Sequence, residues 1–183
     1  IPCTSSLEMP SCASLGWGIV NVEEELSTMT GLKIKAGNDA NVAALGEMWQ
    51  GGAKGCKDVV MVTLGTGVGG GIIIDGNIVA GSTGAGGEIG HITVNDDEIE
   101  LCNCGKCGCL EQYTSATGIV RLAKRKLAIT SKETTLEKYE ELTAKAVFDE
   151  AKEGDPVALD LVDEVCQILG KALANIACVV NPE

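Results

Sequence analysis

Val59-Val60-Met61-Val62-Thr63-Leu64-Gly65-Thr66-Gly67-Val68-Gly69-Gly70-Gly71-Ile72-Ile73-Ile74 joins a dense run of β-formers to a second apolar run through a glycine-rich interruption. β-Branched side chains fit a pleated surface better than a helix, so both runs read as strands. The stretch from Leu64 to Gly71 therefore leaves one strand and enters another. A Walker A loop and a Rossmann fingerprint both open a helix, and this segment is neither. It reads as a hairpin loop: either a cradle in which exposed amides and the Thr66 hydroxyl capture phosphate, or a plain flexible turn.

Working outward, Asp75-Gly76-Asn77 is a turn signal between Gly69 to Ile74 and Ile78 to Ala80, which extends the hairpin. Upstream, Leu32 to Ala36 alternates like a short strand. Asn38 to Gln50 has helical spacing, with Val42, Leu45 and Trp49 on one side. After Glu111 the pattern turns helical, with helices predicted over Gln112 to Leu127, Thr143 to Lys152 and Pro156 to Val180. The last is opened by the capping residue Asp155 and by proline in its first turn. The chain is of the α/β class, with no internal repeat or low-complexity tract.

Between Cys102 and Glu111 the sequence is Cys-Asn-Cys-Gly-Lys-Cys-Gly-Cys-Leu-Glu, and the single histidine, His91, stands upstream in Gly84-Ala85-Gly86-Gly87-Glu88-Ile89-Gly90-His91. Thiolates and an imidazole suit a soft tetrahedral ion, Zn2+, and the interleaved glycines let the backbone curl enough to converge several sulfurs. Five candidates compete for four positions. His91 with Cys102, Cys104 and Cys109 is the preferred set, leaving Cys107 as an odd thiol, because an imidazole bound to metal through one nitrogen can donate a hydrogen bond through the other, so that the metal would orient a ligand-binding residue. A site of four cysteines without His91 is the alternative, and disulfides are a third reading.

Composition argues against the disulfides. Nine cysteines is an odd number, and Cys3, Cys12, Cys56, Cys166 and Cys178 are scattered. No signal peptide precedes them, so a cytoplasmic setting is expected. With 183 residues, 45% of them apolar, the chain can bury a substantial core in one domain plus part of another. The apolar stretch from Leu173 to Val180 is interrupted by Asn175 and too short for a bilayer. A net charge of −12, from 26 acids against 14 Lys and Arg, repels phosphate backbones and speaks against nucleic acid as a partner. The basic cluster Arg121, Lys124, Arg125 and Lys126 reads as a solvated helix face.

Two further segments carry chemistry. Gly81 to Gly87 leads into Glu88 and His91, and a polar, acid-bearing loop suits a hydroxyl-rich ligand. Gly37-Asn38-Asp39-Ala40-Asn41 ends a strand and opens a helix, where side chains meet ligands in α/β proteins. Locally, helix capping by Asn38 or Asp39 is the simpler reading.

Four ordered motifs, Gly37 to Glu47, Leu64 to Ile72, Gly84 to His91 and Cys102 to Glu111, resemble the ROK family (repressors, open reading frames, kinases), and within it the bacterial glucokinases. The resemblance covers nearly the whole chain. It implies an actin-like ATPase, hexokinase-type (ribonuclease H-like) fold, with residues 1–37 ending an amino-terminal α/β domain. Residues 38–183 then form most of the larger, sugar- and zinc-binding α/β domain. It implies ATP-dependent phosphorylation of the 6-hydroxyl of glucose, the opening step of glycolysis. In that scheme Asp39 is the general base, Asn38, Glu88, His91 and Glu111 contact the sugar, and Gly65, Thr66 and Gly67 bind phosphate. Mg2+ accompanies ATP, zinc is structural, and the whole protein is a homodimer.

The resemblance also sets an expectation about extent. A full member carries an Asp-x-Gly-Gly-Thr phosphate loop ahead of this region and an adenosine contact after it, so the chain is expected to be an internal segment of a longer kinase, inactive alone. The glycine-proline-glycine pattern usual in the family is not found in Ile1 to Ser14. The alternatives are a sugar-responsive repressor of the same family, or a kinase for N-acetylmannosamine, allose or fructose.

Overall fold

A computed structural model describes residues 8–9 and 20–183 of the chain. Cys3, Cys12 and most of Ile1 to Ser14 lie outside the described residues. Packing divides the chain into two compact units. One holds the chain up to Met61, Gly71–Gly87 and Glu183, and the other Val62–Gly70 and Glu88–Pro182.

In the first unit, β1 (Glu8–Met9) pairs antiparallel with β2 (Val20–Asn21), and α1 (Val22–Thr30) follows. Apolar periodicity does not announce α1, but its capping signals are present. Asn21 accepts the Glu24 amide at 3.2 Å while its own amide reaches the Glu24 carboxylate, and Gly31 closes the helix at φ 68°. The strand expected over Leu32 to Ala36 does not form. Its donors are taken by α1 side chains: Ile34 N–H reaches Ser27 Oγ at 3.2 Å and Ala36 N–H reaches Glu23 Oε1 at 2.9 Å. With those amides satisfied locally, no strand ladder is required.

The expected helix appears as α2 (Asp39–Gln50), but its buried face is not the one expected. Ala40 and Ala44 are buried, whereas Val42, Leu45 and Trp49 are 54%, 39% and 74% exposed. The small face is selected because Gly71 lies against it: a Cβ on Gly71 would stand 2.6 Å from Ala44 Cβ. Ala44, Val59 and Ile73 form a small core, flanked by Met48, Met61 and Ile78.

The hairpin forms as expected, except that its last strand, expected over Ile78 to Ala80, is confined to Asn77–Ile78. β3 (Val59–Leu64), β4 (Val68–Ile74) and β5 (Asn77–Ile78) are neighbours in that order. Ile73 pairs with Ile78 and Ile74 with Asn77, leaving Asp75 and Gly76 as a two-residue turn with φ of 49° and 75°. Two successive positive φ values fit the primed turns that match strand twist.

The second unit is mainly helical: α3 (Glu111–Thr114), α4 (Ala116–Leu127), α5 (Ala144–Lys152) and α6 (Pro156–Val180). Tyr113, Ile119, Leu122, Leu136, Val147 and Leu161 lie at the centre of its core. The continuous helix expected over Gln112 to Leu127 is broken at Ser115, which is extended at ψ 164° and caps α4 by accepting the Gly118 amide at 3.0 Å. Asp155 caps α6 as expected, accepting the Val157 and Ala158 amides at 3.0 and 2.9 Å.

The basic cluster on α4 is not simply a solvated face. Arg121 donates to Glu98 at 2.9 Å and to Glu100 at 2.6 Å, and Arg125 donates to Glu98 at 3.0 Å. The Glu98 side chain is only 1% exposed, and Tyr113 also donates to it at 2.7 Å. Burial alone would raise this carboxyl, but the donors from Arg121, Tyr113 and the Glu100 amide outweigh it and hold it at about 2. Among the described residues, no helix is long and apolar enough to cross a membrane.

Candidate functional site

The cysteine segment curls on two left-handed glycines, Gly105 at φ 86° and Gly108 at φ 72°. Cys102 N–H donates to Lys106 O at 2.7 Å, Leu110 N–H to Ile92 O at 2.9 Å, and Val94 N–H to Gly108 O at 2.8 Å. These bonds fold the knuckle back onto the segment that follows His91. A Cβ on Gly108 would collide with Asn95 O, so only glycine permits that approach.

The result is a convergent donor set. One ligand atom each from His91, Cys102, Cys104 and Cys109 lies within 4.8 Å of all the others. Cys102 Sγ is 3.7 Å from His91 Nδ1, and Cys104 Sγ is 3.5 Å from Cys109 Sγ. A tetrahedral zinc with bonds of about 2.0–2.3 Å spaces its donors by roughly 3.5–3.8 Å. The donor set fits that ion. Cys107 is not in this group, and among the described cysteines none is in a disulfide.

The thiols differ in environment. Burial pushes Cys109 up to about 12 and Cys102 upward, while the backbone amide of Lys106 draws Cys104 down. Without a positive ion, Cys102 and Cys109 favour their protons, whereas Cys104 is the thiol most readily charged.

Two side chains that no motif singles out fix the knuckle. Gln112 accepts the Cys109 amide at 3.0 Å and donates to Glu100 O at 2.9 Å, and Lys106 Nζ donates to His91 O at 2.7 Å. Gln112 is buried with both ends of its amide satisfied, a pairing that only the fold reveals.

Glu111 joins the knuckle to the glycine hairpin. Its Oε2 accepts the Val68 amide at 3.0 Å, and its Oε1 lies 3.8 Å from Cys102 Sγ. A Cβ on Gly67 would collide with Glu111 Oε2, so the carboxylate occupies the space that the missing side chain leaves. Next to it, Gly65 O accepts the Ala116 amide at 2.8 Å, Thr66 O accepts the Thr117 hydroxyl at 2.8 Å, and Gly65 N–H reaches Gly67 O at 3.0 Å.

His91 ends a three-ten turn, Ile89–His91, and its amide donates to Glu88 O at 3.1 Å. The Glu88 carboxylate is exposed and does not cap this turn. The second unit thus brings together His91, the three cysteines, Glu111 and the loop at Gly65, Thr66 and Gly67, with Glu88 three residues before His91.

Asn38 and Asp39 belong to the first unit. Asn38 is the helix cap, accepting the Asn41 amide at 3.1 Å. Asp39 is exposed at the first helical position, and among the described residues its carboxylate accepts only the next amide, Ala40 N–H, at 2.8 Å.

A glycine hairpin leaning on a helix start, an acid beside it, and a thiol–imidazole knuckle mark an α/β protein with a candidate polar ligand site. The chain belongs to the ROK family, whose model matches residues 4–183. It is 48% identical over 174 residues to a glucokinase of Halalkalibacterium halodurans, covering 93% of this chain and 52% of that protein. Among solved structures it is similar to a ROK family glucokinase from Streptomyces griseus in complex with glucose and AMPPNP, at 37% identity and a TM-score of 0.76 over 91% of this chain and 55% of that one. It is also similar, at 29% identity and a TM-score of 0.81, to a ROK family transcriptional regulator, a homologue of the E. coli MLC protein, over 92% of this chain and 42% of that one. The chain spans about half the length of the curated relatives it matches.

Proposed function

We propose that this chain is the sugar-binding part of an ATP-dependent hexose kinase acting on the 6-hydroxyl of glucose. The observation that carries the reading is the division of labour at the start of α2. Asn38 caps the helix, which leaves the exposed Asp39 carboxylate without a structural duty that another residue could not perform. In the proposed reaction Asp39 takes the proton of the attacking hydroxyl. Phosphoryl transfer demands positioning and charge neutralisation more than covalent chemistry, so one oriented carboxylate and a nest of amides are adequate protein equipment.

Glu88, His91, Glu111 and Asn38 hold the sugar hydroxyls, since a carboxylate can accept two of them and an amide or imidazole can donate. The amides at Gly65, Thr66 and Gly67 receive phosphate oxygens. Mg2+ enters with ATP and neutralises part of its charge. Zinc at His91, Cys102, Cys104 and Cys109 is structural, and it fixes the imidazole that faces the sugar. Residues 1–37 then finish an amino-terminal domain and residues 38–183 belong to the larger one. The complete polypeptide acts as a cytoplasmic homodimer in the first step of glycolysis.

The similarity to a transcriptional regulator favours a second reading, a sugar-responsive repressor. A coupled assay of the complete polypeptide with ATP, Mg2+ and a panel of glucose, N-acetylmannosamine, allose and fructose separates the two. Glucose is expected to give the highest kcat/KM. A folded, glucose-binding protein that phosphorylates none of the four would overturn the kinase reading and leave the repressor.

A further inference from the structure

The loop between β3 and β4 can be accounted for peptide by peptide. A trans peptide is planar, and its C=O and N–H point in opposite directions. Among the described residues there is no cis peptide bond. Fixing Gly65 O on the Ala116 amide therefore aims the Thr66 N–H away from the start of α4. Fixing Thr66 O on the Thr117 hydroxyl does the same for the Gly67 N–H. The next amide, Val68 N–H, is occupied by Glu111, and Gly65 N–H is occupied by Gly67 O. Among the described residues, this leaves two adjacent amides, Thr66 and Gly67, with no protein acceptor and with directions set by their neighbours. Two neighbouring amides turned to one side form an anion-binding concavity.

The two clamps differ in kind. The Ala116 clamp is a backbone amide that any residue at 116 other than proline supplies, whereas the Thr117 clamp is a side chain on the exposed first turn of α4. Its neighbour Ser115 donates to Glu111 O at 2.7 Å and accepts the Gly118 amide at 3.0 Å, so Ser115 is committed to holding the α3–α4 break. Thr117 Oγ1 has two hydroxyl contacts, Thr66 O at 2.8 Å and Ser115 Oγ at 3.1 Å, and the shorter one carries its proton to the loop.

We propose that Thr117 is a positioning residue for nucleotide phosphate: its hydroxyl holds the Thr66 carbonyl so that the Gly67 amide is presented, beside that of Thr66, to a phosphate oxygen. Thr117 acts through the loop and does not itself touch the nucleotide. The proposal rests on the reading of Gly65, Thr66 and Gly67 as the phosphate loop. A side-chain hydroxyl that fixes a peptide before the ligand arrives lowers the ordering cost of binding.

The test uses the complete polypeptide, with calorimetric titration of AMPPNP and of glucose and, separately, hexose phosphorylation. Thr117→Val keeps the shape and removes the proton. AMPPNP affinity and the KM for ATP are each expected to worsen roughly five- to tenfold, the scale of one hydrogen bond. The KM for glucose, kcat at saturating ATP and the melting temperature should stay near wild type. Thr117→Ser should restore nucleotide binding to within twofold. An AMPPNP affinity unchanged in Thr117→Val, or a loss that Thr117→Ser does not rescue, overturns the clamp while leaving the kinase reading intact. If the wild type binds AMPPNP but phosphorylates no hexose, and Thr117→Val still weakens that binding, the clamp stands and the kinase reading fails. A wild type that binds no AMPPNP overturns both.

Discussion

The Glu111 carboxylate accepts the buried Val68 amide at 3.0 Å while its other oxygen lies 3.8 Å from Cys102 Sγ, so one side chain touches both the start of β4 and the knuckle. This gives Glu111 a structural duty beside the sugar contact assigned to it. An unsatisfied buried amide costs about 1–3 kcal/mol. Glu111→Ala is accordingly expected to lower the melting temperature by roughly 5 °C in a chain of this size. Glu111→Gln retains an acceptor for Val68, so its melting temperature should stay close to wild type while the KM for glucose rises. Calorimetry and kinetics on the two variants separate the duties, and equal melting losses in both would show that the acceptor is not what matters.

Asp39→Asn should leave the fold intact, because Asn38 is the cap. Removing a general base is expected to lower kcat roughly a hundredfold or more, with glucose affinity changed little. Asn38→Ala should behave differently and lose about 1 kcal/mol of stability through the cap. Near-normal turnover in Asp39→Asn would remove Asp39 from the chemistry.

The sequence reveals the parts whose signals are local. The hairpin at Val59 to Ile78 is legible because β-branched runs, an Asp-Gly turn and glycine punctuation all lie within a few residues. The knuckle is legible because its cysteines are clustered. What escapes is set by partners distant in sequence. Leu32 to Ala36 alternates like a strand, yet Ser27 and Glu23 take its amides. Val42, Leu45 and Trp49 carry the apolar periodicity of α2, yet the close approach of Gly71 selects Ala40 and Ala44 as the buried face. Arg121 and Arg125 resemble a solvated stripe until Glu98 is folded beneath them. Thr117 offers no motif, since its role depends on a carbonyl 51 residues away.

The metal assignment predicts a difference between neighbouring cysteines. Cys109 is fully buried with its sulfur 3.5 Å from Cys104, whereas Cys107 stands outside the donor group. Cys109→Ser should lose bound zinc and much of the thermal stability, and Cys107→Ser should keep both, because structural zinc binding is coupled to folding. Zinc binding must also displace protons from thiols that burial holds upward, so a chelator should strip the metal more readily as pH falls. Metal analysis of the purified variants decides the first point, and equal zinc loss from Cys107→Ser would defeat the set that includes His91.

Acid stability should depend on Glu98 and Asp155. In Asp155, as in Glu98, burial alone would raise the carboxyl, but donors outweigh it, here the Ala158 and Thr135 amides and the Thr134 and Thr135 hydroxyls, and the group sits at about 2. Both folded values lie below the ordinary carboxylate range near 4, so each group stabilises the fold fully above that range. The contribution disappears as pH falls from about 4–5 toward about 2, where the folded carboxyls accept protons. Melting temperature is therefore expected to fall steeply across that window. Glu98→Gln should be less stable at neutral pH, by about 1–3 kcal/mol, because the charge-assisted bonds from Arg121 and Tyr113 weaken, while the half-exposed Arg125 is screened by solvent and Arg121 keeps Glu100. Its decline below about pH 5 should be shallower than that of the wild type, since one of the two buried, strongly lowered carboxyls is gone. Melting curves from about pH 2 to 7 for both proteins test this, and parallel profiles would show that Glu98 does not carry the acid sensitivity.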